Sequence, residues 1–195
     1  MTVELTFRLV RAIDCARILM IYAPYVRDTA LTFEVEVPTI EAFVERTERI
    51  ASRYPYIVCE ENGEIVGYAY ASRHRERDGY RYDVDMSVYV AQGRQGSGVA
   101  AQLYERLLVL LERLGYYNAY AACVAVNERS RRFHEKFGFV LVGTHHKTGY
   151  KLGQWYDAVW LEKMLRDHGE APGEILGIAE LSMEAVRKIL GGDYS

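Results

Sequence analysis

Apolar and polar residues alternate at the start of the chain, with Val3, Leu5 and Phe7 set against Thr2, Glu4 and Thr6. A period of two predicts a strand over Thr2–Arg8. The period then lengthens. Asp14 opens a stretch in which Ile18, Leu19, Tyr22 and Tyr25 share one helical side, broken at Asp28–Thr29. Thr39 reads as a helix N-cap with Phe43 as the first inward residue, and the helix is expected to reach about Arg53. "YIVCEENGEIVGYAYAS" gives two strands about Glu61–Asn62–Gly63, a hairpin signal of the Asn-Gly kind. An arginine-rich loop, "RHRERDGYR", leads to a long strand from about Tyr80 to Val90.

Val99 to Leu114 is strongly helical: Leu103, Leu107, Leu110, Leu111 and Leu114 make a broad apolar face, and Gly115 ends it. Tyr117–Val126 is apolar and β-like. Asn127 starts another helix, "NERSRRFHEKF", stopped by Gly138. "FVLVGTHHKTGYKLGQWYDAVWLEKML" predicts two strands around a glycine-containing loop. The order β-α-α-β-β-β-α-β-α-β-β lacks the strict alternation of a doubly wound fold and predicts an α+β architecture on one largely antiparallel sheet. Residues 1–166 read as one domain. Residues 167–195, with a short helix over Leu181–Leu190, read as an appendage.

The 195 residues suffice for one domain with a real core. A net charge of −3 gives no general attraction to nucleic acid or membrane surfaces. Cys15, Cys59 and Cys123 have no CxxC spacing and apolar neighbours, as expected of reduced core thiols in a cytoplasmic protein. The amino-terminal residues lack the apolar core of a signal peptide, and no apolar run approaches a membrane span. Tyrosine stands out, with 16 copies against two tryptophans. Its ring packs and its hydroxyl stays bonded, which suits half-buried pocket walls.

Between the strand ending near Val90 and the helix from Val99 lies "QGRQGSGVA", residues 92–100. Glycines before a helix N-terminus bring several backbone N–H groups and the positive end of a helix dipole to one place, where a phosphate binds. A P-loop fails for want of the lysine and Ser/Thr pair. A dinucleotide fingerprint fits "GSGVAA" by letters, but Gly96 comes several residues after the strand and no βα unit precedes it. A third pattern, Gln/Arg-x-x-Gly-x-Gly/Ala, fits Gln95-Gly96-Ser97-Gly98-Val99-Ala100.

With "SVYV" before that loop, "LERLGY" after its helix and "NERSRRFHEKFGF" following, the chain resembles the GNAT acetyltransferase superfamily over about residues 2–165. "RYPYIV", "HEKFGF" and above all "TGYKLGQWYD" are similar to its phosphinothricin and methionine sulfone or sulfoximine acetyltransferase branch. The resemblance implies a sheet flanked by helices and splayed around acetyl-CoA, the co-substrate. The backbone of Val88, Tyr89 and Val90 would pair with the pantetheine arm, and Gln95, Gly96, Ser97, Gly98, Val99 and Ala100 would hold the pyrophosphate. Asn127 and Ser130 would face the cofactor. It puts a general base at Asp85, where relatives carry Glu, and a polarising or proton-donating group at His134. Asp83, on the same strand face, is the alternative base. For the acceptor it implies Phe33 and Glu34, then Arg77 (chosen over Arg73 and Arg75) with Tyr80, and Tyr150, Lys151 and Trp155 in a closing loop, in relatives often lent by the other subunit of a homodimer.

The expected activity is acetyl transfer to the amine of a small amino-acid analogue such as phosphinothricin, methionine sulfone or methionine sulfoximine. A protein N-terminus or a polyamine as acceptor, and a non-catalytic acyl-CoA sensor, stay open. His134, His145 and His146 lack metal-ligand spacing, so no metal is expected. "RHRERDGYRY" interleaves acids with its arginines, which argues against nucleic acid.

Overall fold

A computed structural model describes residues 5–169 and 171–194. The expected strand residues Thr2–Glu4 lie outside them. Seven strands form one sheet in the order β1-β2-β3-β4-β5-β7-β6: β1 (Leu5–Leu9), β2 (Tyr56–Glu61), β3 (Glu64–Arg73), β4 (Asp83–Val90), β5 (Asn118–Val124), β6 (Val140–Lys151) and β7 (Gln154–Met164). Every neighbouring pair is antiparallel except β4–β5. This is the α+β fold of the GNAT type. No helix among the described residues is long and apolar enough to cross a membrane.

α1 (Cys15–Asp28) and α2 (Ile40–Ala51) cover one face of β2–β4, where Ile18, Phe43, Val58 and Tyr68 are buried together. Thr39 caps α2, its hydroxyl accepting from Ala42 N at 3.3 Å. α3 (Val99–Leu114) covers the other face with the five leucines of its apolar side fully buried. Such a side chain contributes roughly 1.5–3 kcal/mol through burial. Gly67 lets α3 lie close: a Cβ there would come within 3.0 Å of Val99 Cγ1 and 3.1 Å of Tyr89 O. The start of α3 is thereby pressed against the end of β4.

At two boundaries a 3-10 turn stands where the expected element would start. The strand expected from Tyr80 begins at Asp83, because Asp78–Tyr80 closes a 3-10 turn, Tyr80 N donating to Arg77 O at 3.0 Å. The helix expected from Asp14 begins at Cys15, after a 3-10 turn over Ala12–Asp14. Asp14 is buried and accepts from Arg8 Nη1 at 2.6 Å and Arg11 N at 2.7 Å. Those donors outweigh the effect of burial and hold its carboxyl below the usual range.

The tail folds back on the body. α5 (Met183–Gly191) buries Val186, Ile189 and Leu190 in the core that α3 shares with the sheet. Arg106 of α3 fixes it, donating to Leu190 O at 2.9 Å while its guanidinium lies over the Phe7 ring.

Candidate active site

β4 and β5 pair only from Asp83 to Asp85 against Asn118 to Tyr120. Beyond that point β4 runs on to Val90 and β5 to Val124 without pairing each other, so the sheet opens into a wedge in its middle. One edge of the wedge is the backbone of Val88, Tyr89 and Val90. The Val90 carbonyl already accepts from Tyr25 Oη at 2.7 Å.

The glycine stretch lies at the wide end. Gly93, Gly96 and Gly98 have φ of +80°, +87° and +87°, and a Cβ on Gly98 would meet nothing within 4 Å. The left-handed conformation explains the glycine, and the space above it is open, as a cradle for an anion requires. Gln95 shapes the loop, its Oε1 accepting from Gly93 N at 2.9 Å, and Ser97 N donates to Arg94 O at 3.2 Å. Gly98 is the N-cap of α3 with no side chain to offer, so the first-turn N–H groups, including those of Val99 and Ala100, have no intrahelical acceptor. Arg94 is tied to Glu61, whereas Arg129 Nη2 lies 3.6 Å from where a Cβ on Gly96 would be. Arg129, which sequence reasoning passed over, adds a cation to the cradle. These features fit the doubly charged pyrophosphate of a coenzyme A derivative.

α4 (Glu128–Lys136) borders the other side. Asn127 caps it, Oδ1 accepting from Ser130 N at 3.1 Å, which leaves the amide nitrogen for other use. His134 is buried beside Phe133 and Phe139, with Nδ1 2.9 Å from Tyr104 Oη. Burial lowers its pKa to about 4, and burial drives the Tyr104 phenol well above its ordinary value. At neutral pH both groups are uncharged, and with Tyr104 as the donor the imidazole carries its proton on Nε2.

The two aspartates have separate surroundings. Asp83 Oδ1 accepts from Asn118 Nδ2 at 2.8 Å, across the parallel pair. Asp85 Oδ1 lies 2.7 Å from His74 Nδ1. His74 stacks on Tyr120 at 4.2 Å and meets Trp160 edge-on at 5.9 Å. Burial raises the Asp85 carboxyl, partly offset by His74 and Arg75. Of the three loop arginines, Arg73 binds its own loop through the carbonyls of Arg75 and Glu76, and Arg75 sits 5.8 Å over Trp160. Arg77 is exposed, its carbonyl starting the 3-10 turn, and Tyr80 stands 6.4 Å from His74. Arg75 is a charge that acts on the Asp85 carboxyl.

The acceptor elements also meet. Glu34 pairs with Arg46 at 2.5 Å, and its Oε2 is buried with no hydrogen bond. Lys151 Nζ donates to Thr32 O at 2.7 Å, and burial lowers its pKa against the pull of Glu34. Phe33 packs so closely on Gly149 that any Cβ there would collide with the ring. The 32–34 loop and the β6–β7 hairpin therefore close together within one chain. Tyr150 and Trp155, 5.2 Å apart, are exposed on that hairpin. Among the described residues no group of three or more His, Cys, Asp or Glu side chains could hold a metal.

A wedge in the sheet, a glycine cradle before α3 and a carboxylate at the narrow end define an acyltransferase framework. The acetyltransferase (GNAT) domain family matches residues 7–160, and the chain belongs to that family of acetyltransferases. Phosphinothricin N-acetyltransferase of Streptomyces viridochromogenes is 34% identical over 146 residues, 75% of this chain and 80% of that protein. The L-methionine sulfoximine/L-methionine sulfone acetyltransferase of Salmonella typhimurium is 34% identical over 167 residues, 84% and 96% of the two chains. A phosphinothricin acetyltransferase from Sinorhizobium meliloti, solved in complex with acetyl-CoA, superposes with a TM-score of 0.84 at 31% identity, covering 93% of this chain and 98% of its own.

Proposed function

We propose that the chain transfers the acetyl group of acetyl-CoA to the amine of a small amino-acid analogue of the phosphinothricin, methionine sulfone or methionine sulfoximine kind. The observation that carries this reading is the wedge itself, with the phosphate cradle at one end and Asp85 at the other. Acetyl-CoA supplies an activated thioester. Gly96, Gly98, Val99 and Ala100 with Arg129 would hold its pyrophosphate, and the β4 edge and Asn127 its pantetheine arm.

The remaining work falls to the chain's own groups. An amino acid arrives as an ammonium and must lose a proton before it attacks a carbonyl carbon. Asp85 is the base, directly or through one water. His134, neutral and fixed by Tyr104, would offer its Nε2–H to the oxygen that becomes negative in the tetrahedral intermediate. When the C–S bond breaks, the departing thiolate takes the second amine proton. Arg75 and Arg77 supply guanidinium groups for the acceptor's carboxylate or anionic head. Phe33, Glu34, Tyr80 and Lys151 would line its site, with Tyr150 and Trp155 at the rim.

The homodimer and cytoplasmic setting belong to the same reading. Exposed Tyr150, Leu152 and Trp155 support the first, and three buried free thiols the second. Incubation with acetyl-CoA and each analogue, followed by mass spectrometry, should find one acetyl group added to the amine. Acetyl-CoA binding with no acetylated product from any acceptor, spermidine and a short peptide included, would leave only the sensor reading.

A further inference from the structure

Asp85 is an awkward base by itself. It has one oxygen in a hydrogen bond, a side chain a third exposed, and a short stem that reaches little beyond the strand. Its partner is better shielded: the His74 side chain is 9% exposed and sits flat on Tyr120, with Trp160 and Tyr80 edge-on around it. Three aromatic rings from three different elements thus fix an imidazole whose Nδ1 meets Asp85 Oδ1 at 2.7 Å. The hydrogen bond from His74 engages Oδ1, and the Asp85 side chain remains a third exposed. The ring's position decides which carboxylate oxygen is left open.

We propose that His74 is the positioning residue of this site: its Nδ1 holds one oxygen of Asp85, so that the other is presented to the acceptor's ammonium. The claim rests on the reading of Asp85 as base. The ammonium gives one proton to Asp85 Oδ2, the neutral amine forms the C–N bond, the thioester C–S bond breaks with the thiolate taking the second amine proton, and Asp85 returns its proton to water after product leaves. His74 neither touches substrate nor changes its bonds. The charged and titratable groups around the pair are Asp83 on β4, Arg75 and Tyr80 in the loop, and Tyr120 on β5. Asp83 opposes the charge on Asp85, and Arg75 favours it. Burial, joined by Asp83, Glu162, Asp85 and Tyr80, raises the Tyr120 phenol, so Tyr120 does not compete as base.

His74→Phe and His74→Gln separate stacking from hydrogen bonding. Phenylalanine keeps the ring on Tyr120 and loses the contact with Asp85, whereas glutamine keeps a donor. Misplacing a base typically costs up to a hundredfold, so His74→Phe should lower kcat roughly ten- to hundredfold with methionine sulfone or phosphinothricin. The KM for acetyl-CoA should not move. The acid limb of its pH profile should shift to higher pH, because Asp85 loses the partner that favours its charged form. His74→Gln should recover most of kcat. Without any substrate, the 13C carboxyl resonance of Asp85 should likewise titrate at higher pH in His74→Phe than in wild type. An unchanged rate profile and an unchanged carboxyl titration in His74→Phe would overturn the proposal. A shifted titration in His74→Phe, with a wild-type protein that acetylates no amine, would instead sink Asp85 as a base, and the positioning role with it, while the hydrogen bond stands.

Discussion

His134 of α4 and Tyr104 of α3 share a hydrogen bond of 2.9 Å in surroundings made of Phe133, Phe137 and Phe139. An unfolded chain protonates this imidazole below about pH 6.5, the folded one only near pH 4. Between those values the unfolded state binds more protons, so stability falls as pH is lowered. The full difference is on the order of 3 kcal/mol. His134→Gln lacks that titration and should lose less stability from pH 7 to pH 4 in urea unfolding. Parallel wild-type and variant curves would contradict a neutral, buried His134.

Gly98 has φ of +87° with open space above it. Alanine would be strained there by about 1–2 kcal/mol, and its methyl group would stand where the cradle faces the pyrophosphate. Gly98→Ala should weaken acetyl-CoA binding by roughly tenfold or more in calorimetry. The KM for the amine should stay within about twofold. Unaltered acetyl-CoA affinity would remove the loop from the binding site.

Gly149 has the opposite problem, no room at all, because Phe33 lies where a Cβ would go. Gly149→Ala should push the 32–34 loop off the hairpin, at a stability cost of about 1–3 kcal/mol. The KM for the amine should rise several-fold and that for acetyl-CoA should not. Equal rises in both would mean that this contact supports the whole fold rather than the acceptor side.

What could be read from the sequence was local in origin. Gly98 and Gly115 mark the two ends of α3 because a left-handed residue leaves a mark in the residue type itself. Thr39 and Asn127 cap helices by bonding groups three residues on. The shift from Tyr80 to Asp83 at the start of β4 has the same scale, a 3-10 turn competing with a strand. The glycine turn at residues 95–100 was legible as a short motif, and Gly96 and Gly98 take positive φ there, ahead of α3. The site was not legible where folding joins distant segments. His74 reaches Asp85 across a hairpin and Tyr120 from another strand, Asn118 claims Asp83 across 35 positions, and Lys151 finds Thr32 across 119. Arg75, which the sequence ranks below Arg77, lies over Trp160 of a distant strand.

The central claim is acetyl transfer to a small amino-acid-like amine, and steady-state kcat/KM at saturating acetyl-CoA tests it most directly. Thiol release would be followed with phosphinothricin, methionine sulfone, methionine sulfoximine, spermidine and a short peptide. The account predicts saturable turnover with at least one of the first three, preferred by about a hundredfold or more over the last two, a difference of about 2.7 kcal/mol. Equal or better turnover of spermidine or the peptide would contradict it.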